Sequence, residues 1–214
     1  SGMKKIFFTN SGTEAIETAM KLARKWGKKK GKVNVFSMSN GFSGRTYCAL
    51  SIMDREKYKT GYEPFIPNAG VIRYNDVNDL RAKVDDTTAG IFLECLQGEG
   101  GVVDVSAEFI SALLALREKY NFLIVADEIQ TGIGRTGKFF CCEHYSLLPD
   151  VICFAKAVGG GLPLGGILGN EKVADVFTLG THGTTFGGNP VSCCAGIATV
   201  KEILENGIMS NAME

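Results

Sequence analysis

Runs of apolar residues of strand length alternate along this chain with segments of helical period. At 122–126 and 151–155 every consecutive side chain is apolar, which is typical of strands buried on both faces of a parallel sheet. Parallel neighbours need long crossover connections, and the intervening helical segments can supply them. The sequence therefore predicts an α/β fold, in which a mainly parallel sheet has helices on both faces.

No repeat, low-complexity tract or linker interrupts this alternation, so 1–214 is predicted to be one domain. Further strands are predicted at 6–8, 33–36, 71–74 and 89–94. Helices are predicted on three sets of apolar residues at helical spacing, namely Ile16, Met20, Ala23 and Trp26; Val77, Leu80 and Val84; and Phe109, Leu113, Leu116 and Tyr120. Asn189 and Pro190 have the residue types of an N-cap and a first helical position, and predict a last helix through Leu204.

The charge balance argues against two classes of partner. Basic and acidic residues number 23 each, so the formal net charge is zero. The only basic cluster, 28–30, follows a helix, and a neutral chain has little attraction for nucleic acid or an anionic membrane. No apolar run is long enough for a membrane span, and the start is not typical of a signal peptide. We therefore expect a cytoplasmic protein.

The seven cysteines favour reduced thiols over disulfides or a metal site. Their count is odd, no CxxC occurs, and the pairs Cys141–Cys142 and Cys193–Cys194 are adjacent in sequence.

In a parallel sheet, ligands bind beyond the carboxyl ends of the strands, so polar residues after each strand are the candidate site residues. Gly12 and Thr13 open a helix after the first strand, where free N–H groups and a hydroxyl can hold an anion. An ordinary capped turn would look the same. After the second strand, Arg45 could hold a carboxylate or phosphate and Phe42 could stack on a flat ring. A surface arginine and a core phenylalanine are the commoner interpretations.

Two of the buried strands lead into charged residues. Asp127 follows 122–126, where an acid must find a cation, a metal or hydrogen-bond donors. It could be a metal ligand, a general base, the partner of a protonated heterocycle or a loop anchor. Lys156 lies between an apolar strand and a loop of small residues, where partial desolvation would make its amine nucleophilic toward carbonyls. A phosphate-binding lysine and a surface charge are its alternatives.

Together these residues have the features that pyridoxal 5'-phosphate requires. The lysine forms a Schiff base with it, the acid keeps the pyridine nitrogen protonated, and the helix start holds the phosphate. The combination favours a site for this cofactor.

Six motifs resemble those of class-III, ornithine-type aminotransferases and stand in the same order. They extend from Asn10 to Pro190 and read NSGTEAIETAMKLAR, GFSGRT, LQGEGG, ADEIQTGIGRTGKFF, FAKAVGGGLPLGG and HGTTFGGNP. Among the subfamilies, the run GTHGTTFGGNP is most similar to acetylornithine aminotransferases. Two positions depart from the family's usual residues, because Cys95 stands where proline is common and Ser43 where histidine or an aromatic is common.

The resemblance implies a role for each candidate residue. Lys156 would carry pyridoxal phosphate as a Schiff base and move a proton, and Asp127 would pair with the pyridine nitrogen. The remaining cofactor-binding residues would be Gly12, Thr13, Phe42, Gln130 and Thr185, the last reaching the cofactor of the neighbouring subunit in a homodimer. The substrate-binding residues would be Arg45, Thr184 and Glu99, the last paired with a switching arginine.

Members of this family are longer than this chain. The resemblance therefore implies that 1–214 is the large domain, and that an N-terminal segment and a C-terminal small domain, which would hold the switching arginine, are absent.

The implied reaction moves the terminal amino group of N-acetylornithine to 2-oxoglutarate, in arginine biosynthesis. Transamination of ornithine, succinylornithine or 4-aminobutyrate, or a related aminomutase reaction, would use the same cofactor residues. An alternative from another class is a non-catalytic domain that retains a phosphate site. Such a domain would have little reason to keep both Lys156 and Asp127.

Overall fold

A seven-stranded sheet forms the centre of the protein, of which a computed structural model describes residues 2–214. In chain order the strands are β1 Lys5–Thr9, β2 Asn34–Met38, β3 Ala69–Ile72, β4 Thr88–Leu93, β5 Leu96–Gln97, β6 Val103–Asp104, β7 Leu123–Asp127, β8 Val151–Phe154 and β9 Gly165–Gly169. β5 and β6 form a separate antiparallel ribbon, and the other seven make the central sheet.

The central sheet is mainly parallel. Its strand order is β1-β9-β8-β7-β4-β2-β3. The five strands from β8 to β3 are parallel to their neighbours, whereas β9 is antiparallel to both β8 and β1. The predicted sheet is confirmed, with the addition of β9, which the sequence pattern did not indicate.

Four of the seven helices within residues 2–214 begin at a side-chain cap. The seven are α1 Gly12–Lys28, α2 Tyr47–Ser51, α3 Glu56–Lys59, α4 Val77–Lys83, α5 Ala107–Tyr120, α6 Pro190–Glu205 and α7 Ile208–Asn211, with 3₁₀ turns at Cys141–Tyr145 and Lys156–Gly159. The N-caps of the four longest helices accept a hydrogen bond from the N–H three residues on, and they are Ser11, Asp76, Ser106 and Asn189. The predicted N-cap at Asn189 is confirmed.

Two apolar cores cover the two faces of the sheet. Along β7, Leu123 and Val125 belong to the core that includes the buried face of α1, whereas Ile124 and Ala126 belong to the core beneath α4 and α5. Alternate side chains of a strand point to opposite faces, so both faces of this strand are buried. The predicted α/β class, with helices on both faces, is confirmed.

The seven cysteines are all free thiols, and Cys95, Cys141, Cys142 and Cys153 are buried. Within residues 2–214, no helix has the length and apolar character needed to cross a membrane.

Candidate functional site

The carboxyl ends of five strands meet at one edge of the sheet. β2, β4, β7 and β8 run in one direction, and β1 shares it because β1 and β8 are both antiparallel to β9. The residues that end or follow these strands include Gly12, Phe42, Glu94, Asp127 and Lys156. The predicted candidates from four segments of the chain therefore lie at the same edge.

The start of α1 offers two free backbone donors. Ser11 is the N-cap, and its hydroxyl accepts the N–H of Glu14 at 3.3 Å. The N–H groups of Gly12 and Thr13 donate to no acceptor among residues 2–214. Because the first N–H groups of a helix carry its positive dipole end, this pair suits an anion. The capped turn is present, and its two free N–H groups are compatible with the anion site, which stays a prediction.

Two loops pack tightly against the start of α1. A Cβ on Gly12 would stand 2.7 Å from Ile129 Cγ2, and a Cβ on Gly44 would overlap the Thr13 hydroxyl. The Thr13 hydroxyl bonds that of Thr46 at 2.8 Å. Glycine at both contacts lets the loops after β2 and β7 approach the start of α1 closely.

Asp127 is a buried carboxyl with few donors. It is 7% exposed, and Ile129 N–H donates to its Oδ1 at 3.1 Å. Burial, and then the negative charge of Glu94, raise the pKa of Asp127 well above its ordinary value, against the opposing charge of Lys156. An acid in this state would be stabilised in its charged form by a cation beside it.

Glu94 is a second acid of the site, and it was not among the residues predicted from the sequence. Its Oε1 accepts the N–H of Phe42 at 3.0 Å, and its carboxyl also interacts with the N–H of Gly98. Burial raises the pKa of Glu94, with Lys156 and Arg55 among the groups that act the other way. Its position directly after β4, at the same edge as Asp127, was the available signal.

Lys156 lies at this edge in a left-handed conformation, with φ of 50°. Its side chain is exposed, so the partial desolvation expected from the sequence is wrong for this chain. The reason is that the strand stops at Phe154 and the following turn leaves the sheet, so the flanking apolar residues do not cover the amine. The charge of Lys156 still acts on both Asp127 and Glu94.

Gln130 and Glu99 belong to adjoining loops. A Cβ on Gly98 would overlap the Gln130 amide, so that amide packs directly on the turn after β5. Glu99 is exposed in the same turn, and its backbone carbonyl accepts a 2.7 Å hydrogen bond from Arg55. The pairing of Glu99 with a switching arginine stays a prediction.

Arg45 and Phe42 share an aromatic partner that the sequence did not predict. The Arg45 guanidinium lies 3.6 Å from the centre of the Tyr58 ring, and Phe42 meets Tyr58 edge to face at 6.2 Å. Arg45 is exposed. The Tyr58 ring therefore supports the arginine by a cation–π contact and leaves its N–H groups free to bind an anion.

Thr184 and Thr185 lie on the exposed segment before α6. Thr184 Oγ1 accepts the N–H of Gly187 at 3.2 Å, and Asn10 Nδ2 donates to it at 3.4 Å. Thr184 is thereby joined to the turn that precedes α1. The expected role of Thr185 needs a neighbouring subunit and stays a prediction.

Glu128 follows Asp127 but faces the protein interior. Its carboxylate accepts hydrogen bonds from Thr131 Oγ1 at 2.9 Å and from the N–H groups of Cys141 and Cys142 at 2.9 and 2.7 Å. It therefore secures the loop after β7 to the 3₁₀ turn at Cys141–Tyr145.

These groups fit pyridoxal phosphate by their chemistry. Among residues 2–214, two N–H groups without an acceptor suit a phosphate, a buried carboxyl without a paired cation suits a protonated ring nitrogen, and an exposed amine suits an aldehyde. The fit rests on Gly12, Thr13, Asp127 and Lys156.

Comparison with known proteins identifies related chains. The family described as Aminotransferase class-III matches residues 1–214. A protein of Aquifex aeolicus named acetylornithine aminotransferase is 48% identical over 201 residues, covering 93% of this chain and 54% of that protein. Among solved structures, the ornithine aminotransferase of Toxoplasma gondii has a TM-score of 0.91 at 33% identity, covering 99% of this chain and 51% of that one. A PLP-bound amine transaminase from an uncultivated Pseudomonas species has a TM-score of 0.91 at 25% identity, and the match covers 98% of this chain and 55% of that one. The chain thus spans about half the length of each of these proteins.

Proposed function

The chain belongs to the class-III aminotransferases, and we propose that it is the pyridoxal-phosphate-binding large domain of an acetylornithine aminotransferase of the cytoplasm. The observation that carries the proposal is that Asp127 and Lys156 end or follow adjacent parallel strands, at the edge where Gly12 and Thr13 open α1. The 48% identity to a protein named for acetylornithine supports the substrate.

The residues that would hold the cofactor act on different parts of it. The N–H groups of Gly12 and Thr13 would bind the phosphate, and the Asp127 carboxylate would hold the proton on the ring nitrogen. Phe42 would pack against the ring and Gln130 would lie beside it. When bound, the cofactor supplies an electron sink for the carbanion formed at the substrate carbon.

Lys156 would be the residue to which the cofactor is attached, and it would also carry the substrate proton. Its exposed amine can reach an aldehyde without first displacing protein groups. Once the substrate amine has taken its place, Lys156 Nζ is a free base that can accept the proton from the carbon bearing the transferred amino group.

The loop after β2 would bind the substrate carboxylate. Arg45 is exposed on the Tyr58 ring and would bind the carboxylate of N-acetylornithine or 2-oxoglutarate. Thr184 would lie near the substrate. Glu99 would neutralise an arginine from outside this chain when the substrate has only one carboxylate to bind.

The active site would be shared across a homodimer, with Thr185 reaching the partner subunit's cofactor. Thr185 and the neighbouring Phe186 are exposed on the segment before α6, which supports this arrangement. Co-expression of Thr185→Val and Lys156→Ala subunits tests it. A shared site predicts hybrids with one intact site and activity above that of either variant alone, whereas self-contained sites predict no such recovery.

A panel of amino donors tests the substrate. The native protein would be assayed with N-acetylornithine, ornithine, succinylornithine and 4-aminobutyrate, each with 2-oxoglutarate as acceptor. We expect the highest kcat/KM with N-acetylornithine. Equal or better use of ornithine would contradict the substrate assignment, and absence of both transamination and the visible band of lysine-bound cofactor would favour a non-catalytic domain.

A further inference from the structure

His182 has a set of contacts that the proposed cofactor and substrate sites do not use. Its ring stacks on Phe177, with centroids 5.0 Å apart and an interplanar angle of 29°, and it lies 4.7 Å from Phe7 of β1. The ring is half-buried. His182 therefore has a fixed place between two aromatic side chains, although the segment around it is exposed.

Both ring nitrogens are hydrogen-bonded to α1, and the partners fix the tautomer. Thr18 Oγ1 donates its only hydrogen to the carbonyl of Glu14 at 2.8 Å, so His182 Nε2, at 3.0 Å, must donate to that oxygen. The Lys21 ammonium carries only donors, so His182 Nδ1, at 2.9 Å, must accept from it. The ring is therefore neutral, with its hydrogen on Nε2.

Burial and the neighbouring Lys21 ammonium favour this neutral form, against the negative charges of Glu14 and Glu17. Burial, and then the charge of Lys21, lower the pKa of His182. Glu14 and Glu17 of α1 line the cavity beside the ring, while Phe7 of β1 and Phe177 contribute no charge. Protonation at Nδ1 would place two cations in contact.

The chain after His182 runs along α1 toward the anion site. His182 is joined to Thr18 and Lys21, and Thr184 is joined to Asn10 just before the N-cap. The segment 182–187 is thus attached at its start to the second and third turns of α1, and then to the turn that opens the helix.

We propose that His182 is a positioning residue, which fixes the segment 182–187 against α1 and so places Thr184 and Thr185. This inference rests on the proposed function, in which Thr184 lies near the substrate and Thr185 reaches a cofactor phosphate. His182 itself touches neither. His182 would act by fixing the positions of the Thr184 and Thr185 hydroxyls.

The test compares His182→Phe with His144→Phe in the native protein. Phenylalanine keeps the aromatic packing and removes both hydrogen bonds, and His144, the only other histidine, is exposed and bonded to Thr136. For His182→Phe we expect the Kd for pyridoxal phosphate to rise about five- to tenfold, with kcat at saturating cofactor nearly unchanged. His144→Phe should leave both quantities at the wild-type value. His182→Gln should recover part of the affinity, because its amide N–H can donate to Thr18.

Amide hydrogen exchange gives a readout that does not depend on activity. His182→Phe should speed exchange within 183–187, while the Tm of the protein stays close to wild type. Unchanged cofactor affinity and exchange in His182→Phe would overturn the positioning role while leaving the proposed function intact. A wild-type protein that binds no cofactor would instead refute the proposed function, and the exchange result would still decide whether His182 fixes the segment.

Discussion

Gly12 faces Ile129 so closely that a Cβ on Gly12 would stand 2.7 Å from Ile129 Cγ2. This contact joins the helix start that offers free N–H groups to the loop that begins at Asp127. The spacing between the proposed phosphate site and the proposed partner of the ring nitrogen therefore depends on the absence of a side chain at Gly12.

Gly12→Ala should separate these two parts of the site. We expect the alanine Cβ to displace Ile129, raising the Kd for pyridoxal phosphate about tenfold and lowering the free energy of unfolding by about 1 kcal/mol. Cofactor titration and urea unfolding measure the two effects.

The paired variant Gly12→Ala with Ile129→Ala removes the opposing Cγ2 and should restore most of the cofactor affinity. An affinity that stays low when the opposing methyl is gone would show that the steric explanation of Gly12 is wrong.

Asp127→Asn should change the pH dependence of stability in cofactor-free protein. Burial, and then Glu94, raise the pKa of Asp127 in the folded state, so the folded chain holds a proton that the unfolded chain releases at lower pH. The stability from this group is present below the unfolded pKa and is lost as pH rises through the folded pKa. Asparagine cannot ionise, so the variant should exceed wild type in stability as pH rises above the ordinary range of an aspartate, with a flatter profile.

The measurement is urea unfolding of the cofactor-free protein at a series of pH values, with Asp86→Asn, an exposed acid, as control. In the cofactor-loaded protein, Asp127→Asn should lower kcat by about 10²- to 10³-fold, because a neutral amide does not hold a cationic nitrogen. A profile for Asp127→Asn that runs parallel to wild type would contradict the assignment of Asp127 as a buried acid that needs a cation.

Tyr58→Leu should weaken carboxylate binding without affecting the chemistry. The Arg45 guanidinium lies over the Tyr58 ring, and an exposed cation–π contact of this kind contributes about 0.5–1 kcal/mol. We expect KM for the carboxylate substrates to rise roughly two- to fivefold at unchanged kcat. Arg45→Lys should raise KM further, because a lysine offers no planar fork.

Steady-state kinetics with each substrate varied in turn would separate these outcomes. Loss of kcat with unchanged KM in both variants would place Arg45 outside the substrate pocket.

Strand-end placement and helix caps were predictable because they depend on local sequence. The runs at 122–126 and 151–155 were recognisable as buried strands from their apolar residues alone, and Asp127 and Lys156 follow these runs directly. Asn189 was recognisable as an N-cap because its side chain bonds within its own turn.

Features that depend on partners distant in sequence were not predictable. β9, with the sequence GGILG, has three glycines and no alternation, and it is a strand because β1 and β8 pair on its two sides. Glu94 was missed because it ends an apolar run and was assigned to the strand at 89–94. Tyr58 was missed because its contact with Arg45 spans a loop. The exposure of Lys156 depends on where the chain goes after β8, which its flanking residues do not specify.

The central claim is that Lys156 is the residue to which the cofactor is attached. Reduction of the native protein with borohydride fixes a lysine-bound cofactor, and peptide mass spectrometry then locates the modified residue. We predict modification of Lys156, and its loss in Lys156→Ala with the fold retained by circular dichroism. Modification of a different lysine, or none in a protein that transaminates, would contradict the claim.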